Sequence, residues 1–385
     1  MPVIDRIAEF ADDLTAIRRD FHEHPELGME EVRTSGIVAK LLREWGIETH
    51  TGIGKTGVVG VLEGNAPGRS IGLRADMDAL PIDEKTNLPF SSKTPGIMHA
   101  CGHDAHTTML LGAARYLAET RDFAGRAVFI FQPAEEGLGG ARAMLADDLF
   151  GRFPCDEVYG MHNNPNGQPN QIGVKPGEAM AGADFFDFHI SGFGSHAAMP
   201  QMSRDPILIA SALVQQLQSV VARNVPPTEP LVLSVTQFHA GAAYNVIPTD
   251  ATISGTMRYF NPEVAAMVRQ RMRDLAAGLA KAYGVEIAFD NREIFDVLVN
   301  DETLSHVMLD IASDVVGEDN VSVTPSVRTG SEDFADMLRV VPGAYCTVGH
   351  AGTVPLHNDG FILDETMLPV GASIYARLIE RRTAA

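Results

Sequence analysis

Short apolar runs alternate with helical patterns through the first 160 residues or so of the chain. Runs such as VVGVLEG (58–64) and RAVFIFQP (126–133) have the length and composition of buried strands, and TTMLLGAARYLAE (107–119) and RAMLADDLF (142–150) have the spacing of helices. The same style returns after residue 290, where GAYCTVGH (343–350) predicts a further buried strand. Strands that alternate with helices predict an α/β sheet that is at least partly parallel.

The pattern is different between residues 181 and 290. ADFFDFHISGFG (183–194) alternates as a strand does, and two long amphipathic helices are predicted at 205–224 and 262–284. The order β-α-β-β-α-β indicates a ferredoxin-like α+β sandwich. We therefore predict a first domain made of residues 1–180 and 291–385, interrupted by a smaller domain at 181–290.

Composition and charge exclude several classes of protein. The chain has 385 residues, and 45% of them are hydrophobic. Its 30 basic and 50 acidic residues give a formal charge of -20, and this negative charge would repel nucleic acid and anionic lipid. Three cysteines cannot build a disulfide framework, so we expect a reducing, cytoplasmic location. The first 21 residues are typical of an amphipathic acidic helix rather than a signal peptide, and no run reaches the roughly 18 apolar residues of a membrane span.

Carboxylates and imidazoles follow several of the predicted strands. They are Asp76 and Asp78, Glu135 and Glu136, His162, and His350 with His357 a few residues later. Ligand sites in open α/β sheets lie outside the carboxyl ends of the strands, so we expect these side chains to meet at one edge.

The stretch MHACGHDAHTTML (98–110) adds a thiol and more imidazoles to this set. Cys101 and His103 are two residues apart, so in an extended loop their side chains would point to the same side. Thiolate, imidazole and carboxylate together suit Zn²⁺ and its first-row neighbours. CGHD alone is more typical of a buried cysteine beside a loop histidine, but the other ligands favour a metal site. We assign His99 and His106 to packing or to orienting a ligand.

The consecutive pair Glu135 and Glu136 predicts a division of labour. Neighbouring side chains diverge in strands and in helices, so one glutamate would bind metal while the other faces a water as general base. An acidic helix start is the alternative for an isolated pair of glutamates.

The residues resemble the M20 metallopeptidase family, and in particular its amidohydrolase branch of hippurate hydrolases, auxin-conjugate hydrolases and N-acyl-amino-acid deacylases. The motifs are MHACGHDAHTTMLLGAA, FQPAEEGLGGARAML, GMHN, GSHAAMP and LHNDGF, and the resemblance extends from FHEHPELGMEE (21–31) to residue 361. It implies a zinc-peptidase-like catalytic domain with a mixed, largely parallel sheet, and an inserted lid or dimerisation domain.

The resemblance also implies roles for individual residues. Two divalent ions, Zn²⁺, Mn²⁺, Co²⁺ or Ni²⁺, would share five protein ligands: Cys101, His103, Glu136, His162 and His357. Glu135 would be the general base, and Asp78 would orient a ligand. The chain departs from the wider family in having Asp76 where many relatives have histidine, and cysteine where a bridging aspartate is usual.

The inserted domain resembles the family's lid. The histidine of SGFGSHAAMP, His196, would polarise the scissile carbonyl, either in its own subunit or in the partner of a dimer, while Asn245 and Arg258 would meet the substrate. Arginine suits a substrate carboxylate because its guanidinium binds in a bidentate manner, although on a surface strand it is more often only solvated. An edge strand, LVLSVTQF (231–238) or FFDFHISG (185–192), would pair two copies into a homodimer or a dimer-based tetramer. TGSEDFADM is another family-like loop whose atoms receive no role.

The implied function is metal-dependent hydrolysis of N-acyl-L-amino acids, hippurate-like or N-acetylated, to a carboxylate and a free amino acid. A carboxypeptidase or dipeptidase would use the same site on a peptide. A catalytically silent module that binds metal or acyl amino acids is the alternative outside the enzymes.

Overall fold

The computed structural model describes residues 3–384, which divide into two compact units. The first contains residues 3–179, Leu298–Val327 and 333–384, and the second contains Met180–Val297 and Arg328–Glu332. The main segment of the second unit ends at Val297 rather than at the predicted residue 290, because its last long strand continues to Phe295. No helix among the described residues combines the length and the apolar character needed to cross a bilayer.

The helices and strands are numbered in chain order. The helices are α1 Asp5–Glu9, α2 Ala11–Glu23, α3 Val32–Glu44, α4 His103–Thr120, α5 Gly140–Ala146, α6 Leu149–Arg152, α7 Pro206–Asn224, α8 Pro262–Tyr283, α9 Glu302–Val316, α10 Phe334–Leu338 and α11 Leu368–Arg382. The strands are β1 Glu48–Ile53, β2 Gly57–Glu63, β3 Ala66–Asp76, β4 Ala124–Gln132, β5 Glu157–Asn164, β6 Ile172–Val174, β7 Gly177–Met180, β8 Gly182–Ser191, β9 Ser195–His196, β10 Leu231–Ala240, β11 Val246–Ile247, β12 Asp250–Tyr259, β13 Glu286–Phe295, β14 Leu298–Asn300, β15 Val321–Val323 and β16 Gly343–Gly349.

An eight-stranded sheet organises the first unit, in the order β1-β2-β4-β3-β5-β16-β6-β15. Its central strands β4, β3, β5 and β16 are mutually parallel, whereas β1 and β2 on one side and β6 on the other are antiparallel to their inner neighbours. The predicted mixed, largely parallel sheet is confirmed. Because the four central strands run the same way, the segments that follow them leave the sheet at one edge.

The core of the first unit explains why the central strands are so apolar. Helices α4 and α11 pack together, and buried residues such as Leu110 and Ile374 join the strand residues Phe129 and Leu73 in one cluster. A strand that is covered by helices exposes few of its side chains to solvent. Nearly all residues in these runs are therefore hydrophobic. Polar side chains inside them therefore stand out.

Two predicted helices are interrupted. The acidic N-terminal helix is divided at Phe10, which has φ -110° and ψ 22° and is buried beneath the guanidinium groups of Arg6 and Arg115 at 5.6 and 4.3 Å from its ring centre. The helix predicted after β4 is divided in the same way at Asp148, whose φ of 60° is left-handed. Burial of a ring and a local turn override helical periodicity at these points.

The second unit has the predicted ferredoxin-like order β8-α7-β10-β12-α8-β13, and its sheet is antiparallel in the order β10-β12-β8-β13. Asp205 and Asn261 cap the two helices through their side chains, and each is followed by proline at the first helical position. Strand β10 is an edge strand, as proposed for LVLSVTQF. The alternative edge, FFDFHISG, was wrong, because it forms β8 between β12 and β13.

Candidate metal centre

A sharp turn presents Cys101 and His103 to the carboxyl edge of the sheet. Gly102 between them has φ +92°, and His103 is already the first residue of α4. The predicted extended loop was therefore wrong. A Cβ at position 102 would lie 2.4 Å from the side-chain nitrogen of Asn163, so only glycine fits, and this turn brings the thiol and the imidazole together.

The five predicted metal ligands converge in the first unit. The Cys101 sulfur lies 3.3 Å from Nε2 of His162 and 3.4 Å from Nε2 of His357, which itself is 3.2 Å from Oε1 of Glu136. Nε2 of His103 is 4.0 Å from the same carboxylate oxygen. These side chains come from the turn into α4 and its first residue, the loop after β4, strand β5 and the loop after β16, so they meet at one edge of the sheet.

The turn after β4 carries both glutamates. Ala134 adopts a left-handed conformation with φ +51°, which places Glu135 in a buried position with 6% exposure and leaves Glu136 partly accessible. Carboxylate oxygens of Glu135 and Glu136 and a ring nitrogen of His103 all lie within 4.8 Å of one another. The two carboxylates thus share one site and differ in their access to solvent.

Buried acceptors fix the orientation of the imidazoles. Asp78 accepts a hydrogen bond from Nδ1 of His103 at 3.1 Å, and the backbone oxygen of Asn163 accepts one from Nδ1 of His162 at 2.6 Å. The protons on Nδ1 leave both Nε2 atoms as lone-pair donors that face the centre. Asp78 also accepts the backbone N–H of Glu136 at 3.0 Å.

His106 and His99, assigned to packing or to orienting a ligand, are both buried. Nδ1 of His106 bonds to Asp76 at 2.6 Å and its Nε2 accepts the backbone N–H of Asn163 at 2.9 Å, so both ring nitrogens are occupied. Neither ring nitrogen of His99 has a hydrogen-bond partner among the described residues, and burial lowers the pKa of its imidazole to about 4.

The donor set fits divalent metal ions. Within the described part of the chain, Nε2 of His103 is buried without a hydrogen-bond partner, an expensive arrangement unless a cation takes its lone pair, and Oε1 of Glu136 faces it at 4.0 Å. One sulfur, three imidazole nitrogens and a carboxylate form a set that Zn²⁺ and its first-row neighbours favour. Divalent ions at this position would satisfy all of these atoms together.

Electrostatics in the centre agree with a site for positive charge. The side chains of Cys101 and Glu136 raise the pKa of His357 to about 10, so a proton is retained where a cation would bind. Burial raises the pKa of the Cys101 thiol, with a further contribution from Glu136, and burial lowers that of His162. Metal binding in such a site displaces protons from its ligands.

Sequence reasoning missed a buried polar network beneath the centre. Arg74 has no exposed surface, and its guanidinium donates to Asp76 at 2.7 Å, to Asp333 at 3.1 Å and to the side-chain oxygen of Gln132 at 2.9 Å. Asp333 belongs to the TGSEDFADM loop, which had received no role. The sequence signal for this network was Arg74 near the end of the largely apolar run RSIGLRA, because a buried charge requires partners.

A second buried network ties the motif FHEHPELGMEE to α4. Oδ2 of Asp104 lies 2.8 Å from Nε of Arg18 and 2.8 Å from Nδ1 of His22, and these three side chains are almost wholly buried. Burial raises the pKa of the nearby Glu84, but hydrogen bonds from His22, Thr86 and Ser92 outweigh it and lower that pKa to about 2.

The three residues predicted in the lid lie in the second unit, and the structure brings two of them together. His196 and Asn245 line one cleft of about 800 Å³. Arg258 is not among its lining residues; its guanidinium donates to Oγ1 of Thr256 at 2.7 Å and lies 5.9 Å from the ring centre of Phe185. Burial lowers the pKa of Arg258.

Thiolate, imidazole and carboxylate donors at the carboxyl edge of an α/β sheet, with a buried glutamate beside them, define a metal-dependent hydrolase. The chain belongs to the peptidase family M20/M25/M40, whose family model matches residues 72–381. The predicted family is confirmed, and the protein is a metal-dependent amide hydrolase.

Similar proteins place the chain in the amidohydrolase branch. It is 40% identical to a hippurate hydrolase of Campylobacter jejuni over 98% of each chain, and 40% identical to an N-acetylcysteine deacetylase of Bacillus subtilis over 96% of each. It is also 37% identical to the thermostable carboxypeptidase 1 of Saccharolobus solfataricus, covering 97% of this chain and 96% of that one.

A solved structure from Bacillus subtilis agrees. It is described as a dinuclear metal binding peptidase from the M20 family, and it has a TM-score of 0.81 and 37% identity over 97% of this chain and 98% of its own. This likeness supports a pair of divalent ions in the present protein.

Proposed function

We propose that the protein hydrolyses N-acyl-L-amino acids, with hippurate-like or N-acetyl groups, to a carboxylate and a free amino acid. The observation that carries the proposal is the buried carboxylate of Glu135, which lies within 4.8 Å of donor atoms of Glu136 and His103 and to which we assign proton transfer rather than metal binding. The similarity to a hippurate hydrolase and to an N-acetylcysteine deacetylase supports this substrate class.

The donors have separate tasks in this proposal. Bound divalent ions would supply Lewis-acid polarisation of the amide carbonyl and acidify a water. The side chains that would hold them are Cys101, His103, Glu136, His162 and His357. Asp78 fixes the ring of His103 and the backbone of Glu136 through its two oxygens, so the ligand geometry is set before substrate arrives.

Glu135 acts as the general base and later as the acid. Its carboxylate accepts the proton of the attacking water, keeps it away from bulk solvent because the side chain is buried, and delivers it to the leaving amine. Glu136 cannot exchange roles with it, since its Oε1 is directed to His103 and His357.

The second unit would contribute substrate contacts. His196 would donate to the developing oxyanion, an interaction commonly worth about 3 kcal/mol, and Asn245 from the same cleft would hold the acyl amide. Arg258 would pair with the substrate carboxylate. We further propose a homodimer in which β10, the edge strand, pairs with its copy, and in which His196 serves the partner's centre.

The rival within the family is a carboxypeptidase or dipeptidase, which the similarity to the thermostable carboxypeptidase favours. The two functions differ in the group attached to the scissile amide, since a dipeptide carries a free ammonium and an N-acyl amino acid carries none. A dipeptidase would require an acidic group to receive that ammonium.

Amine release from N-benzoyl and N-acetyl amino acids and from dipeptides separates the two. The protein is stripped and reloaded with Zn²⁺, Mn²⁺, Co²⁺ or Ni²⁺ in parallel. We expect N-acyl substrates to be cut at the higher kcat/KM with at least one metal. Cleavage of dipeptides alone would overturn the substrate assignment, and metal binding without any turnover would favour a silent module.

A further inference from the structure

Three buried carboxylates hold the backbone of the turn that carries the two glutamates. Glu31 accepts the N–H of Ala134 at 2.8 Å, Asp78 accepts the N–H of Glu136 at 3.0 Å, and Asp333 accepts the N–H of Ala141 at 2.9 Å. All three acceptors have no more than 1% of their surface exposed. Charge-assisted hydrogen bonds to buried backbone donors are strong, so this turn is fixed at both ends and in its middle.

Ala134 is the point at which the turn needs this support. Its φ of +51° is left-handed, a conformation that residues with a Cβ adopt rarely and keep only when their surroundings impose it. Its carbonyl accepts the N–H of Gly140 at 3.0 Å, which closes the turn from the other side. Glu135 follows directly, so the direction of its side chain depends on the dihedral angles at Ala134.

Glu31 reaches this turn from a distant part of the chain. It lies between α2 and α3, where a Cβ on the neighbouring Gly28 would come within 3.0 Å of the Cα of Ala134, so the two segments are in tight contact. The second oxygen of Glu31 accepts the hydroxyl hydrogen of Thr56 at 2.6 Å. Both carboxylate oxygens of Glu31 are thus committed to hydrogen bonds within the protein.

We propose that Glu31 is a positioning residue for the general base: it locks Ala134 in its left-handed conformation and thereby aims the carboxylate of Glu135. The proposal rests on the role assigned to Glu135 above. A displacement of a catalytic group by about 1 Å costs on the order of 10²-fold in rate, so removal of this hydrogen bond should appear in kcat. Ground-state substrate binding depends on other side chains, and Glu136 on the same turn keeps its own backbone hydrogen bond to Asp78, so KM and metal binding should change little.

The test replaces the acceptor and keeps the volume. Glu31→Met fills the same space but leaves the N–H of Ala134 without an acceptor, and kcat should fall on the order of 10²-fold with KM unchanged. Glu31→Gln should recover most of the loss, because its amide oxygen accepts that N–H and its amide nitrogen donates to Thr56. The control is Asp301→Ala, since the carboxylate of Asp301 also accepts a backbone N–H, that of Leu304 at the start of α9, on a segment that does not carry Glu31 or the turn.

Two readouts separate positioning from a structural role. Hydrogen exchange of a peptide covering residues 133–141 should be faster in Glu31→Met than in the wild type and unchanged in Asp301→Ala. The cobalt-substituted protein should keep its thiolate absorption band, because Cys101 lies on another segment. Loss of thermal stability with unchanged kcat and unchanged exchange would overturn the proposal, as would a Glu31→Gln enzyme as slow as Glu31→Met.

If Glu31→Met does not fold, Thr56→Val removes only the second hydrogen bond of Glu31, and it should lower kcat by a smaller factor and raise exchange in the same peptide. No effect in either measurement would overturn the proposal. The ratio of kcat between each variant and the wild type is measured with any amide substrate that the wild type hydrolyses. Failure of the N-acyl assignment would therefore appear in the wild type, and failure of the positioning role would appear in the ratios.

Discussion

Removal of Asp78 should weaken metal binding without removing a ligand. One of its oxygens orients His103 and the other holds the backbone of Glu136, so two of the five proposed ligands lose support together. Loss of a residue that orients a ligand costs roughly 10- to 100-fold in metal affinity. Asp78→Ala removes both hydrogen bonds, so its loss of metal affinity should lie at the upper end of this range, about 100-fold or about 2.8 kcal/mol.

The isosteric change gives an intermediate result. Asp78→Asn keeps one acceptor and places an amide nitrogen against a donor at the other hydrogen bond. We therefore expect metal affinity to fall roughly 10-fold. Competition with a chromophoric chelator at fixed pH measures both affinities. The control is Asp83→Ala, because the side chain of Asp83 accepts the loop N–H of Gly96 rather than a bond from the metal ligands. An Asp78→Ala protein whose affinity stays within about twofold of the wild type would refute the reasoning.

Three further results are expected. Gly28→Ala should lower kcat moderately in a steady-state assay, because its Cβ would press on the backbone of Ala134 at 3.0 Å, and an unchanged kcat would contradict this. Arg18→Met should cost about 3–5 kcal/mol of unfolding free energy in urea, because it leaves Asp104 buried without its guanidinium partner, and a loss under about 1 kcal/mol would contradict it. The pKa of Glu84 is lowered from 4.5 to about 2 on folding, so the unfolded state binds more protons in this window and stability is lost as pH falls from about 4.5 to 2. A Glu84→Gln protein should show a flatter acid limb in urea midpoints, and parallel limbs would exclude this contribution.

Three of the five proposed metal ligands could be predicted from sequence because each follows a strand or lies near its end. Parallel strands have one carboxyl edge, and once the runs before Glu136, His162 and His357 were identified as strands, their meeting place followed. The family resemblance then distinguished the proposed ligands from the other histidines. Local spacing failed at Cys101, where the predicted extended loop is a glycine turn into a helix, because backbone dihedrals at a single residue leave no periodic signal.

Residues that support the site were harder to predict. Glu31 and Arg74 act on segments about 100 and 260 residues away in the chain, and nothing in their own neighbourhood indicates those partners. Arg74 carried one signal, a charge inside an apolar run, which shows that partners are needed but not which ones; Glu31 lies in the polar stretch GMEEVRT and carried no such signal. The position of β8 inside its sheet depends in the same way on long-range pairing, so the choice between the two candidate edge strands required the structure.

The central claim is that Glu135 performs proton transfer and does not hold metal. Its most direct test compares Glu135→Gln with the wild type in one preparation for bound metal per chain and for amine release from an N-acyl amino acid. We expect equal metal content and a loss of turnover of about 10²- to 10⁴-fold, the range that a general base contributes. Substantial residual turnover, or loss of metal together with activity, would contradict the assignment.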